Sequence, residues 1–589
     1  MPPSRFGLRV LVSALVACGG LFGTGAASAD SGDLAVAYQV DAAHSGVQMD
    51  SQLVPPFSRR WRVTFPAQVS YPLIAEGKVF VTVGSTSNDA TRTPRLYALD
   101  QASGQIVWSQ TLPLYWPRAN AAYDGGRIFV AGNNLTPGGS GVMLAYAADS
   151  GSLLWRSELP YQWSFTSAPT AANGVVYTAG AGFGGTLYAV GETDGQLLAM
   201  QSVENGDQSS PALSDDAVFV SYACNQAYGF AQATLAPLWH YSGPCEGGGG
   251  KTVVYAGGRV YTRDFLGSLV LDASSGALLR TYEPERAYIY APAIDSTSLF
   301  ATFPGQSLRA EALDGTPLWT FAGDGQLNTT PLLLNSGSGR FVVVGSSLGR
   351  LYALNAETGG EVWSTDVGAP VSGADEQNGS EPLAGLAAGQ GLLVVPAANT
   401  LSAYVADHTP PTLSLPPAVA AQASSQKGGT VSFAVAASDP DDSATVSCAP
   451  SSGSTFPIGI TSVACTATDT AGNNASGNFF VVVSAPNADC DLTHYPLTKT
   501  GPNLKNAMLA GCYLPNANLA GANATAANLS GAYLAGANLS SANLSQANLR
   551  GALLRGANLT GVKWSQTTCP DGTPSGDNGG TCLGHLAYT

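Results

Sequence analysis

Hydrophobic positions along this chain keep two long periods. The first is set by Leu96–Trp108, LYALDQASGQIVW: a short apolar run, a small-residue turn closed by Gly, then four residues to a bulky position. The same order returns around Gly151, Gly195, Gly276, Gly315 and Gly359. The terminal positions are Trp108, Trp155, Ala199, Trp239, Arg280, Trp319 and Trp363, at spacings of 47, 44, 40, 41, 39 and 44 residues. A β-rich run precedes each motif, from KVFVTVG at Lys78–Gly84 to FVVVG at Phe341–Gly345, bounded by the Gly, Asn and Asp that end strands. Self-similarity at this period marks a unit that cannot bury its own faces. About four short antiparallel strands per unit, stacked radially, cover those faces and leave only short edges.

Seven units end at Trp108 through Trp363. An eighth, Ser380–Asp407, has inner strands (GLLVVPAA, TLSAYVAD) but no Trp-bearing outer strand. The missing piece stands upstream as Arg60-Trp61-Arg62-Val63. The pattern therefore predicts eight blades over residues 50–407, with the N-terminal strand completing the last. Ala199 and Arg280 replace the Trp of their units, so looser joints are expected after those two blades.

The pattern changes at Asp407-His408-Thr409-Pro410-Pro411, where two prolines cannot continue a ladder. Residues 408–485 alternate over short runs (VSFAVAAS, ATVSC, SVACTATD, FFVVVS), as a small β-sandwich does. The second long period follows. From Leu504 to Trp564 every fifth residue is apolar (Ala524 and Trp564 among leucines), with a small residue two positions before each. Five fits neither a helix nor a flat strand, but it fits a square coil that turns a corner every five residues. Asn518, Asn523, Asn538 and Asn558 precede their apolar residue and are placed to form side-chain ladders between coils. Residues 565–589 are expected to close the coil as a cap.

Three resemblances rest on these residues. Ala98, Asp100, Gly104 and Trp108 match the tryptophan-docking repeat of quinoprotein-type (PQQ-like) propellers, and Ala353, Asn355, Gly359 and Trp363 nearly do. The resemblance implies that Gly lets neighbouring blades approach while Trp fills the gap. A hyalin repeat is resembled by Asp439, Cys448-x-Pro450-x-Ser452-Gly453, Cys465-x-Ala467-x-Asp469 and Gly472-Asn473, which implies an extracellular immunoglobulin-like module. Residues 490–564 resemble the pentapeptide-repeat family, a right-handed quadrilateral β-helix. The expected fold class is thus all-β throughout.

Composition narrows the task. Charged residues make up 11% of the 589, against roughly 25% in ordinary soluble domains. A net charge of −15 argues against nucleic acid, whose binding rests on Lys and Arg. Some pentapeptide proteins bind DNA gyrase through an acidic face, but residues 501–563 hold no Asp or Glu and carry Lys505, Arg550, Arg555 and Lys563. Arg5 and Arg9, the apolar Val10–Phe22 and Ala27-Ser28-Ala29 read as an export signal over residues 1–29. Leu15-Val16-Ala17-Cys18 also resembles a lipobox, which would make Cys18 a lipid-bearing residue. No later stretch is apolar enough for a transmembrane helix. The remaining eight cysteines read as disulfides of an exported chain, with local pairing expected for Cys224–Cys245, Cys448–Cys465 and Cys569–Cys582. For Cys490 and Cys512, a bridge and a buried free thiol at Cys512 both stand.

Chemistry is thin. Cys245–Thr252, CEGGGGKT, lacks the first Gly of a phosphate-binding loop and runs into a strand instead of a helix. The five histidines are scattered, and the adjacent cysteines of quinoprotein dehydrogenases are missing. No catalytic, metal-ligating or cofactor-binding residue is assigned, and no cofactor is expected. The one candidate contact set is Trp116, Trp163 and Tyr288, each eight residues beyond its blade's docking position. Equal offsets place them at one end of the ring, where aromatics stack on a sugar or clamp a peptide. The expected function is a non-catalytic, monomeric binding or scaffolding protein of the bacterial envelope or extracellular space, with a protein or glycan ligand. A quinone-dependent dehydrogenase and an outer-membrane assembly factor are the alternatives.

Overall fold

The structure is a computed structural model. It describes residues 33–586 apart from 51, 85–92, 116–117, 135–139, 205–208, 246–249, 265–266, 283–286, 304, 377–380 and 441–442. The export signal, Cys18 and Trp116 lie outside the described residues.

Eight antiparallel sheets are built from the repeats. Seven are consecutive units of four antiparallel strands beginning at Leu73, Asn120, Thr170, Ala212, Val254, Ala293 and Leu332, the last joined by Val47–Gln48 as a fifth, parallel strand. The eighth joins Ala387–Gly389, Leu392–Ala397 and Thr400–Ala406 to the N-terminal strand Phe57–Thr64, with Trp61 opposite Ala403. The ring is therefore latched by its two ends. All eight outer strands slip register at the residue before the docking position, as between Arg59 and Trp61 or between Ala98 and Leu99. This β-bulge turns the docking side chain toward the next blade.

At six joints the docking side chain lies on a glycine of the next blade: Trp61 on Gly104, Trp108 on Gly151, Trp155 on Gly195, Trp239 on Gly276, Arg280 on Gly315 and Trp319 on Gly359. A Cβ at any of these glycines would come within 2.6–2.8 Å of that side chain, and each has a positive φ between 70° and 86°. Both constraints exclude other residues. The five indoles also donate to a carbonyl in the next blade, at 2.8–3.2 Å.

The two irregular joints are closed, contrary to expectation. Arg280 does the work of a Trp: its guanidinium donates to the Leu313 carbonyl at 3.0 Å and to the Tyr282 hydroxyl at 3.0 Å. Where Ala199 is too small, Leu235 occupies the position of the glycine in the next blade, at φ 54° and 1% exposed. The large and small partners have changed sides. Trp363 meets the latch strand, packing edge-on against Phe57 at 5.2 Å and Tyr404 at 5.8 Å.

The second module is a sandwich whose main sheet runs Val419–Gln422, Asn474–Ser484, Gly459–Asp469, Ala444–Ala449. Phe456, Val463, Phe479 and Val481 form its core. It packs on the coil, with Phe480 against Tyr533 and the Ala485 N–H bonded to the Ala510 carbonyl at 3.0 Å. In the coil, parallel bridges join residues 20 apart, four corners of five, and leucines and alanines fill the axis. The asparagine ladder is only partial. Asn523 donates to Asn503 at 3.3 Å, whereas most of the asparagines fold back on the backbone N–H two residues on. Four disulfides are formed: Cys224–Cys245, Cys448–Cys465, Cys490–Cys512 and Cys569–Cys582. Cys512, buried in the coil, is thus bonded and not a free thiol.

Candidate functional site

The ring axis is occupied by the chain itself. Residues 33–48, which the repeat pattern leaves outside the propeller, run round the inner strands and bond to every blade in turn. Ile74, Tyr123, Leu213, Tyr255, Ile294 and Leu333 donate backbone N–H groups to Ala35, Val36, Ala42, Ala43, Ser45 and Gly46 at 2.8–2.9 Å. The Gln390 N–H reaches the Asp33 carbonyl at 2.9 Å, and the His44 ring meets Thr170 and Pro211. Tyr38 and His44 are wholly buried, and burial pushes the Tyr38 phenol well above its ordinary range.

Toward the other end, the loops entering the inner strands surround an open funnel of about 570 Å³, lined by Gln68, Lys251, Tyr290, Asn328, Asp375 and Glu381 among others. Its floor is an ion pair. Arg263, on blade five, bonds both carboxylate oxygens of Glu376 at 2.7 and 3.0 Å, and Glu376 also accepts the Thr252 N–H at 2.8 Å. Both side chains are almost fully enclosed, at 3% and 7% exposure. The long loop before blade eight is thereby tied across the axis. This arrangement does not fit a bound quinone with its calcium ion. The Arg263 guanidinium is already neutralised, the axis below is filled by Tyr38 and His44, and the propeller's cystine, Cys224–Cys245, bridges residues 21 apart.

The predicted aromatic set is not brought together. Tyr288 is 3% exposed and packs edge-on to Tyr282 and Phe303, inside the core of blades five and six. Trp163 is surface-lying at 44% exposure, and its company is different: Tyr115 (46%), Tyr161 (69%) and Phe183 (79%). Among the described residues these four are all the exposed aromatic side chains. The remaining exposed large apolar residues are aliphatic, and many sit at the outer-strand bulges (Val107, Leu154, Leu238, Leu318).

Local bonds make the four a single rim over blades one to three. The Tyr115 N–H bonds to the Asn133 carbonyl at 3.1 Å, and the Asn133 amide bonds to the Trp163 carbonyl. The indole lies against Gly182, where a Cβ would come within 2.3 Å of it. The buried Gln162 amide clamps both backbone groups of Phe183, at 2.9 and 3.2 Å, and so fixes the hairpin tip. Tyr161 is held at φ 75° with its ring in solvent. Left-handed backbone costs a non-glycine residue roughly 1–2 kcal/mol, and nothing in the core repays it. The nearest charged pair, Arg156 and Glu158, is internally matched at 2.8 Å. Equal offsets within repeats found Trp163. The signal for Phe183 was a lone aromatic in the glycine-rich stretch AGAGFGGT.

The architecture and its motifs define a ring of PQQ-like repeats followed by a hyalin-type domain and pentapeptide repeats. Family models agree: one described as outer membrane protein assembly factor BamB matches residues 92–183, 139–248 and 309–409, one for the HYR domain matches 406–483, and one for pentapeptide repeats matches 503–540 and 532–563. Among individual proteins, the chain is similar to outer membrane protein assembly factor BamB of Yersinia pestis, 27% identical over 163 residues. That stretch covers 27% of this chain and 36% of the relative, so the chain spans about a third of its curated relative's length. Among solved structures, BamB from Moraxella catarrhalis is 15% identical with a TM-score of 0.45, covering 59% of this chain and 100% of that one. Quinohemoprotein alcohol dehydrogenase from Comamonas testosteroni is 12% identical with a TM-score of 0.50, covering 66% and 83%. At such identity the likeness concerns the fold alone.

Proposed function

We propose that this is an exported, non-catalytic binding protein of the bacterial envelope or extracellular space. Its contact is the aromatic rim of Tyr115, Tyr161, Trp163 and Phe183, and its ligand a neutral glycan chain. The observation that carries this reading is segregation: exposed aromatics gather on one rim while exposed aliphatics lie elsewhere. A flat ring face suits a pyranose ring, and the rim offers no unmatched charge to attract an ionic ligand. The filled axis and neutralised Arg263 support binding over redox chemistry. The second module and the coil then act as rigid spacers behind the ring.

The test is retention on insoluble cell-wall and exopolysaccharide fractions, comparing wild type with the Trp163→Ala/Phe183→Ala double variant. Both side chains are exposed, so the fold should persist. Loss of two stacking contacts at ~1 kcal/mol each lowers affinity about 30-fold. Unchanged retention by the double variant on every fraction that holds wild type would end the glycan reading. The similarity to BamB supports a second reading, a scaffold in outer-membrane protein assembly. Co-purification with outer-membrane assembly proteins, undiminished in the same variant, would favour it.

A further inference from the structure

Where the propeller hands over to the second module, two carboxylates meet without a counter-charge. Asp407 follows the last propeller strand, and its N–H bonds to the Pro56 carbonyl at 3.0 Å. Asp469 ends the strand Gly459–Asp469 of the second module. Asn473 ties them together: its N–H bonds to Asp469 Oδ1 at 2.7 Å, and its amide bonds to the Asp407 carbonyl at 3.0 Å and Asp407 Oδ1 at 3.4 Å. Both aspartates are more than nine-tenths buried, at 2% and 6% exposure. In each, Oδ1 accepts backbone N–H groups (Thr409 for Asp407; Gly472 and Asn473 for Asp469), while Oδ2 is buried with no hydrogen bond. The neighbouring Ser58 hydroxyl is buried too and lies close enough to favour the charged form of Asp407.

Among the described residues, none of the ion pairs includes either aspartate. Burial, then the charges of Asp469 and Asp439, push the Asp407 carboxyl above its ordinary range. An enclosed carboxylate with a bare oxygen is costly unless a positive charge meets it. Two such oxygens at one junction call for a shared cation or a shared proton.

We propose that this junction is a calcium site, with Asp407 and Asp469 supplying one Oδ2 each. The donors on hand are all oxygen, and an irregular set of carboxylates, hydroxyl and carbonyls suits calcium better than the octahedral demand of magnesium. Among the described residues no three Asp, Glu, His or Cys side chains are gathered to hold an ion by themselves. Main-chain carbonyls, Ser58 Oγ and water would complete the shell. Extracellular calcium modules bind at about 10⁻⁴–10⁻³ M, so the joint between ring and sandwich would stiffen after export. This site is separate from the aromatic rim and does not depend on it.

The experiment uses the full chain: thermal unfolding and limited proteolysis of the His408–Pro411 linker, in EDTA and at 2 mM calcium or magnesium (about twice the upper Kd expected of such sites). Calcium should raise the melting temperature by ~2–4 °C and slow cleavage of the linker several-fold, with magnesium weaker. Asp469→Asn and Asp407→Asn, near-isosteric changes, should each abolish both responses. No calcium response in the wild type overturns the proposal whatever the variants do. So does a response that survives in both variants. A shared proton would appear instead as linker protection that rises as pH falls, without calcium, and would overturn the proposal.

Discussion

The joint between blades three and four permits the sharpest test of how the ring closes, because its partners have changed sides. Leu235 is 1% exposed in the core beside Ala199, at φ 54° where its counterparts are glycine. Leu235→Gly removes a buried side chain, a loss of ~2–5 kcal/mol. Relief of left-handed strain returns ~1–2 kcal/mol, leaving a net cost of about 0–4 kcal/mol. Ala199→Trp drives an indole into Leu235, and overpacking of this kind costs ~1–3 kcal/mol. Independent effects would sum to about 1–7 kcal/mol in the double variant. The double variant, however, rebuilds the Trp-on-Gly joint found at five other interfaces. We expect it to return to within ~1 kcal/mol of wild type, a favourable coupling of ~2–3 kcal/mol, the upper end for touching residues. Thermal and guanidinium unfolding of all four proteins, followed by far-UV circular dichroism, gives the cycle. Additive losses would refute the claim that bulk on either side of a joint is interchangeable.

Two further outcomes are expected. Glu192 is enclosed beside Asp124, and burial followed by that neighbour's charge pushes its carboxyl up to about 7 from the ordinary 4.5. A raised acid holds its proton longer in the folded state, so its contribution is favourable below pH 4.5 and is lost as pH rises toward 7. After allowance for solvent screening this amounts to ~1–2 kcal/mol, and Glu192→Gln should remove the decline. Denaturation midpoints at pH 5 and 7.5 check it; parallel profiles for the two proteins would contradict it. For the ion pair across the axis, Glu376→Gln leaves Arg263 enclosed without a counter-charge, at ~3–5 kcal/mol. Replacing both with leucine and methionine should cost much less. A double-variant loss equal to the sum of the two single-variant losses, read by melting temperature, would show that the pair is not coupled.

How far the sequence carried the reading follows from where each kind of information is stored. Blade number, the latch through Trp61 and the square coil are legible because each rests on a pattern repeated along the chain. The same order of strand, turn, Gly and bulky residue recurs every 39–47 residues. The belt at residues 33–48 has no such pattern, since each of its residues meets a different blade and nothing need recur. Ala199 and Arg280 look like defects in the sequence for a related reason. A joint is closed by two residues from neighbouring blades, and one read alone looks like a defect. The aromatic rim was half visible: offset found Trp163, but the same offset put Tyr288 in the core, because which face of a loop meets solvent depends on the blades beside it. Sequence alone determined the modules, their order and their internal repeats, which are local packing rules written many times. Tertiary structure alone decided what fills the axis, which aromatics reach solvent and where uncompensated charge gathers. Each of these is a property of surfaces that exist only once distant strands have met.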